Sequence, residues 1–163
     1  MTRLLLLLGA LALAGCATTG APKTGHPEAR SYNAAPDAVA AVDAALVRAA
    51  ERGTRVLVVF GANWCHDSRA LAGWLETPRF AALVAERYEL VFVNVGMPQT
   101  GDGHNLGLAR RFGLDAVPGT PAVLVLRSDG RALNLDSAAS WRNAASRSEE
   151  AIFAELLALA DQV

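Results

Sequence analysis

Apolar runs and helix-spaced patterns follow one another along the chain in a readable order. Arg55-Val56-Leu57-Val58-Val59-Phe60 is apolar after its first residue with no polar break, the pattern of a strand covered on both faces. Leu90 to Val95 and Ala122 to Leu126 predict two more such strands. Between the first two, Leu71, Trp74 and Leu75 recur at helical spacing. Thr77-Pro78 then breaks the pattern, and Phe80, Leu83, Val84 and Tyr88 predict a second helical piece. Two buried strands joined through helix make a βαβ unit, so they should run parallel with a right-handed crossover.

Ahead of that unit, Pro36-Asp37 opens a helix with a buried face of Val39, Val42, Leu46 and Ala50, closed by Gly53. Behind it, a polar loop from Met97 to His104 leads to a short helix carrying Leu106, Leu108, Ala109 and Phe112, ending at Gly113. Asp129-Gly130 is a hairpin signal that predicts a fourth strand at Ala132 to Leu135. Trp141 reads as a packing residue. Ser146-Arg147-Ser148-Glu149 has the form of a capping box for a last helix that buries Ile152, Phe153, Leu156 and Ala160. The expected architecture is α/β: a mixed sheet of four strands, parallel then antiparallel, with helices on both faces. It occupies residues 36–163, with no internal repeat and no second domain.

Composition changes the picture mainly at the N-terminus. Part of the 52% hydrophobic content comes from the first fifteen residues, where Met1-Thr2-Arg3 precedes an apolar run from Leu4 to Leu13. That run is too short to span a bilayer and suits the core of a signal peptide. It ends in Leu13-Ala14-Gly15-Cys16, which resembles a bacterial lipobox. The resemblance implies a lipoprotein signal peptide over residues 1–15 and a lipid on Cys16. With Ala17 next, it also implies a protein of the cell envelope, held at the outer membrane and facing the periplasm. Residues 16–35, rich in Ala, Thr, Gly and Pro, read as a flexible linker in which His26 is solvated. The net charge of −1, with positive residues scattered, argues against nucleic acid as a partner. A monomer without a cofactor is expected. There are two cysteines; once Cys16 carries lipid, Cys65 is the one free thiol, and no internal disulfide can form.

Cys65 falls where the first strand ends and the next helix begins, within Phe60-Gly61-Ala62-Asn63-Trp64-Cys65-His66-Asp67-Ser68. First-turn amides and the helix dipole favour negative charge there, so the position suits a nucleophilic thiolate. A protonated His66 would add to that effect and Asp67 would oppose it, unless Asp67 simply serves the helix N-terminus. His104 leaves the same sheet edge, so Cys65, His66 and His104 form a candidate soft-ligand set for copper.

The element order, Trp64-Cys65 after the first strand, Gly119-Thr120-Pro121 directly before the third, and the Arg127-Ser128-Asp129-Gly130 hairpin together resemble the thioredoxin superfamily. The resemblance spans residues 36–163 and implies a thioredoxin-like fold. By it, Cys65 is the nucleophile, Ser68 its hydrogen-bond partner, and Thr120 with a cis-Pro121 the clamp for an extended substrate. Trp64 and His66 become substrate-side residues. Two departures matter. The second motif cysteine is replaced by Ser68, and the buried acid many thioredoxins carry six residues before the first cysteine is Val59. A monothiol follows, competent for mixed-disulfide formation in isomerase-like or deglutathionylation-like exchange but lacking a resolving thiol. The expected partners are cysteine-containing envelope proteins or small-molecule thiols, and the membrane through the lipid on Cys16. The alternatives are a non-catalytic binding module for an extended envelope segment and a copper-binding protein.

Overall fold

The computed structural model describes residues 25–33 and 37–162; the expected signal peptide, the lipidation site Cys16 and Pro36 lie outside the described residues. Helix α1 spans Ala38–Arg52. Asp37 caps it by accepting the Ala40 N–H at 2.9 Å, and Gly53 ends it in the left-handed region at φ 68°. Its buried stripe is Ala38, Val42, Ala45 and Ala49. The expected stripe followed the larger side chains, but Val39 is exposed. Alanines at successive turns let the helix axis approach the sheet closely, and spacing decided the face rather than side-chain size.

Strand β1 (Arg55–Gly61) is central. β2 (Tyr88–Asn94) pairs with it in parallel, and β5 (Ala122–Leu126) pairs antiparallel on its other side. Alternation along β1 divides the core. Val56, Val58 and Phe60 meet α1 and α4 (Leu106–Arg111) on one face. On the other face Leu57 and Val59 meet α2 (His66–Leu75), α3 (Pro78–Arg87) and α5 (Glu149–Asp161). Helices thus cover both faces. The break between α2 and α3 falls at Thr77, with Pro78 at the first helical position as Pro prefers. The polar loop after β2 contains a small hairpin of β3 (Gly96–Met97) and β4 (Asp102–Gly103).

The fourth strand of the main sheet does not form. After the Asp129-Gly130 turn the returning chain makes a single bridge, Leu126 to Ala132, through two backbone bonds, Leu133 N–H to Val125 O and Arg127 N–H to Arg131 O, each at 2.9 Å. The Asn134 side chain then takes the place of backbone. Its Oδ1 accepts from Val125 N at 2.8 Å and its Nδ2 donates to Val123 O at 2.9 Å. The edge of β5 is satisfied by an amide rather than a strand. The last helix also starts two residues later than the capping box implied. Ser148 is its cap, accepting from Ala151 N, whereas Ser146 belongs to a preceding 3₁₀ segment, Ala138–Ser146. Trp141 in that segment is fully buried, as a packing residue should be.

Residues 25–33 depart most from the expected linker. They lie across α2: Ala29 N–H bonds Arg69 O at 3.0 Å, and the Tyr32 ring is buried against Phe92, with ring centroids 5.1 Å apart. Asn63 pairs with Tyr32 as a neighbouring strand would, accepting from its N–H and donating to its carbonyl, each at 3.1 Å. Burial of this aromatic ring, together with the backbone bonds to Asn63 and Arg69, offsets part of the order lost in the segment.

Candidate active site

Gly61 ends β1, and Ala62 to Trp64 turn the chain into α2 with Cys65 as its N-cap residue. Arg69 holds that turn from within the helix. Its guanidinium donates to the carbonyls of Asn63 and Trp64 at 3.2 and 3.0 Å and to Glu28 at 2.9 Å. Trp64 projects outward, 47% exposed, while its indole N–H donates to Gly96 O at 2.9 Å. That bond ties the Cys65 turn to the hairpin after β2.

Cys65 is buried, 8% exposed. Its S–H donates to the carbonyl of Thr120 at 3.1 Å, and the Thr120-Pro121 peptide bond is cis. The structure therefore brings together Cys65, the expected nucleophile, and Thr120-Pro121, the pair expected to clamp a substrate. A thiol makes this bond and a thiolate cannot, since both partners would then be acceptors.

Ser68 is fully buried in the first turns of α2, and its Oγ accepts from Ala62 N at 3.4 Å. The bond made by the sulfur goes to Thr120, so the expected Ser68–Cys65 hydrogen bond gives way to one that stabilises the β1–α2 turn. Behind Ser68 lies the Tyr32 phenol. Burial above all pushes its pKa far up, opposed weakly by Ser68 and reinforced by the charge Cys65 would carry; it stays protonated. A side chain at position 61 would collide with both, since a Cβ there would lie 2.5 Å from the Tyr32 ring and 2.7 Å from Ser68 Oγ. Gly61 thus lets these two side chains approach the strand end.

His66 points away from the sulfur: its Nε2 lies 3.0 Å from His26 Nε2 and 4.0 Å from Glu28 Oε1. Asp67 bonds neither sulfur nor helix amide; its Oδ1 accepts from Ala145 N at 2.9 Å and fastens α2 to the 3₁₀ segment. His104 sits exposed against Gly96. The copper set of Cys65, His66 and His104 does not assemble. Among the described residues the group able to share a cation is His26, Glu28 and His66. His26 is thus drawn out of the expected solvated linker. Tyr32, Asn63 and Arg69 were missed as site residues. The signal for Tyr32 was its own: a lone large aromatic in a stretch of small and polar residues.

The thioredoxin-like family profile matches residues 37–128. Among solved structures, the chain is similar to the crystal structure of a disulphide isomerase from Xylella fastidiosa Temecula1. The match has 33% identity and a TM-score of 0.71, covering 80% of this chain and 96% of that one. No curated protein matches.

Proposed function

The chain belongs to the thioredoxin-like family, and from that premise we propose that it carries out thiol–disulfide exchange through Cys65 alone. Thiol–disulfide chemistry in general is supported by the fold and by the disulphide isomerase it is similar to. The observation that carries the finer reading is the placement of one sulfur at the N-cap of α2, held against the carbonyl that precedes cis-Pro121, with Ser68 where a second thiol would stand.

The chemistry balances without an external oxidant. The Thr120 bond breaks as Cys65 gives its proton to solvent, and the thiolate attacks one sulfur of a substrate disulfide. A Cys65–substrate disulfide forms and the other substrate sulfur leaves as a thiolate. A second thiol, from the same substrate or a small molecule, then attacks the substrate sulfur and returns Cys65 as thiolate. Trp64, exposed beside the sulfur, offers an apolar surface to the incoming chain, and the backbone at Thr120 offers pairing to an extended one. His66, in the first turn of α2, borders this surface with its ring turned towards His26 and Glu28. The lipobox-like Leu13-Ala14-Gly15-Cys16 supports placing the site in the envelope, lipid-anchored at the outer membrane and facing the periplasm, where cysteine-containing proteins and small thiols are its partners.

The test is capture of disulfide-linked partners on non-reducing gels together with release of glutathione from a glutathionylated peptide. Wild type should form adducts and release glutathione, and Cys65→Ser should do neither. Equal rates for both proteins would refute the reading. The burial of the sulfur favours a second one, a binding module that holds an extended envelope segment without exchange. It predicts partner capture that survives Cys65→Ser.

A further inference from the structure

The N-terminal segment brings a second set of reactive atoms to α2, separate from the thiol. His26, Glu28 and His66 place one ligand atom each within 4.8 Å of one another. The two imidazoles meet edge to face with centroids 4.8 Å apart, and their Nε2 atoms are 3.0 Å apart. Glu28 Oε1 lies 4.0 Å from His66 Nε2. Tetrahedral zinc with bonds near 2.1 Å separates its ligand nitrogens by about 3.4 Å, so rotation of these at least partly exposed side chains suffices to close the site.

The surroundings of the three side chains point the same way. Arg69 Nε donates to Glu28 Oε2 at 2.9 Å, fixing the carboxylate with Oε1 turned towards the imidazoles. His26 Nδ1 lies 3.3 Å from the Pro27 carbonyl. The tautomer with Nδ1–H donating there leaves a lone pair on Nε2, directed at His66. Metal-bound histidines are oriented in this way, with the far ring nitrogen on a carbonyl and the carboxylate hydrogen-bonded behind. The segment is already anchored at Ala29 and Tyr32, so His26 and Glu28 are brought to His66 before any ion arrives.

We propose that His26, Glu28 and His66 bind a divalent transition-metal ion of the zinc and copper class, through two imidazole nitrogens and one carboxylate oxygen. A fourth position faces solvent. The ion takes the place of the proton shared by the two imidazoles and fastens residues 25–33 to the first turn of α2, one residue beyond the nucleophile. Magnesium and calcium are excluded by the nitrogen ligands, which suit neither. Cys65 is not a ligand, because its sulfur is turned to Thr120.

Zn²⁺ titrated calorimetrically into the reduced full chain should bind with one equivalent, and equally well to Cys65→Ser and His104→Ala. His26→Ala and His66→Ala should each weaken binding by at least about tenfold, and Glu28→Gln by less. All three side chains are at least partly exposed, so these variants should keep the fold, which circular dichroism checks. Cu²⁺ serves as a second probe: wild type should show the ligand-field band of a nitrogen-ligated ion and no sulfur-to-copper charge transfer. Loss of zinc binding in Cys65→Ser, unchanged binding in His26→Ala, or no binding by wild type would overturn the proposal.

Discussion

Replacing Asn134 by alanine removes the side chain that completes the edge of β5. The amide is 1% exposed and bonds two backbone groups, Val125 N at 2.8 Å and Val123 O at 2.9 Å. Each backbone group left unpaired in a buried setting costs about 1–3 kcal/mol, so the substitution should destabilise by about 2–6 kcal/mol. That is a large share of the roughly 5–15 kcal/mol that holds a domain of this kind together. With a urea slope of about 2 kcal/mol per molar, a loss of 4 kcal/mol moves the midpoint down by about 2 M, read by circular dichroism. Asn134→Asp keeps the acceptor for Val125 but turns an oxygen towards Val123 O, so it should not rescue. Because β5 begins two residues after Thr120, whose carbonyl holds the sulfur, loosening the strand should also speed alkylation of Cys65 in native buffer. A midpoint shift under about 0.3 M in Asn134→Ala would refute the claim that the side chain substitutes for a strand.

Glu89, at the start of β2, is buried between Arg48 and Arg52 of α1. Burial pushes its carboxyl up, and the two guanidiniums more than reverse this, leaving it below the usual range. Stability from this group is therefore complete above its unfolded pKa of about 4.3 and lost as pH falls through the lower folded value. Glu89→Gln should cost about 1–2 kcal/mol near pH 7, limited by the half-exposed arginines, and the gap to wild type should narrow below about pH 4 in urea titrations. A gap that stays constant down to pH 2 would count against the ion pairs. Gly73→Ala would place a Cβ 2.4 Å from the Pro27 backbone, a collision that residues 25–33 must relieve by moving. Overpacking of about 1.4 kcal/mol should accelerate tryptic cleavage after exposed Arg30 about tenfold. An unchanged rate would mean that the segment does not cross α2 where it is placed.

The strands were legible because covered strands write themselves as apolar runs; β1 and β5 fall where Val56 to Phe60 and Ala122 to Leu126 predicted them, and β2 overlaps Leu90 to Val95 but starts at Tyr88, which helical spacing had assigned to the preceding helix. The strand-to-helix junction at Cys65 and the approach of Thr120-Pro121 were legible through element order and the family resemblance together. Three features escaped for physical reasons. The face of α1 is set by alanines, which carry little hydrophobic signal yet permit the closest packing. The fourth strand was over-read because a turn signal says that the chain reverses but not that it pairs, and Asn134 supplies the bonds from a side chain. Residues 25–33 have the composition of a linker, and their order rests on Tyr32 and on partners far along the chain, Asn63, Arg69 and Gly73. Local pattern cannot show such contacts. The same blindness hid the His26–His66 approach, forty positions apart in the chain.

The two ends of the described chain leave the molecule at different places. Gln162 accepts from Arg55 at the start of β1, whereas His26 lies against His66 beyond the other end of that strand. A seven-residue strand separates them by about 20 Å. Anything fused or grafted ahead of residue 25 therefore emerges at the end of β1 that leads into Cys65. A handle at the C-terminus emerges on the far side. Immobilising the protein by that end, on a bead or a sensor chip, presents the thiol outward and leaves the N-terminal strap undisturbed.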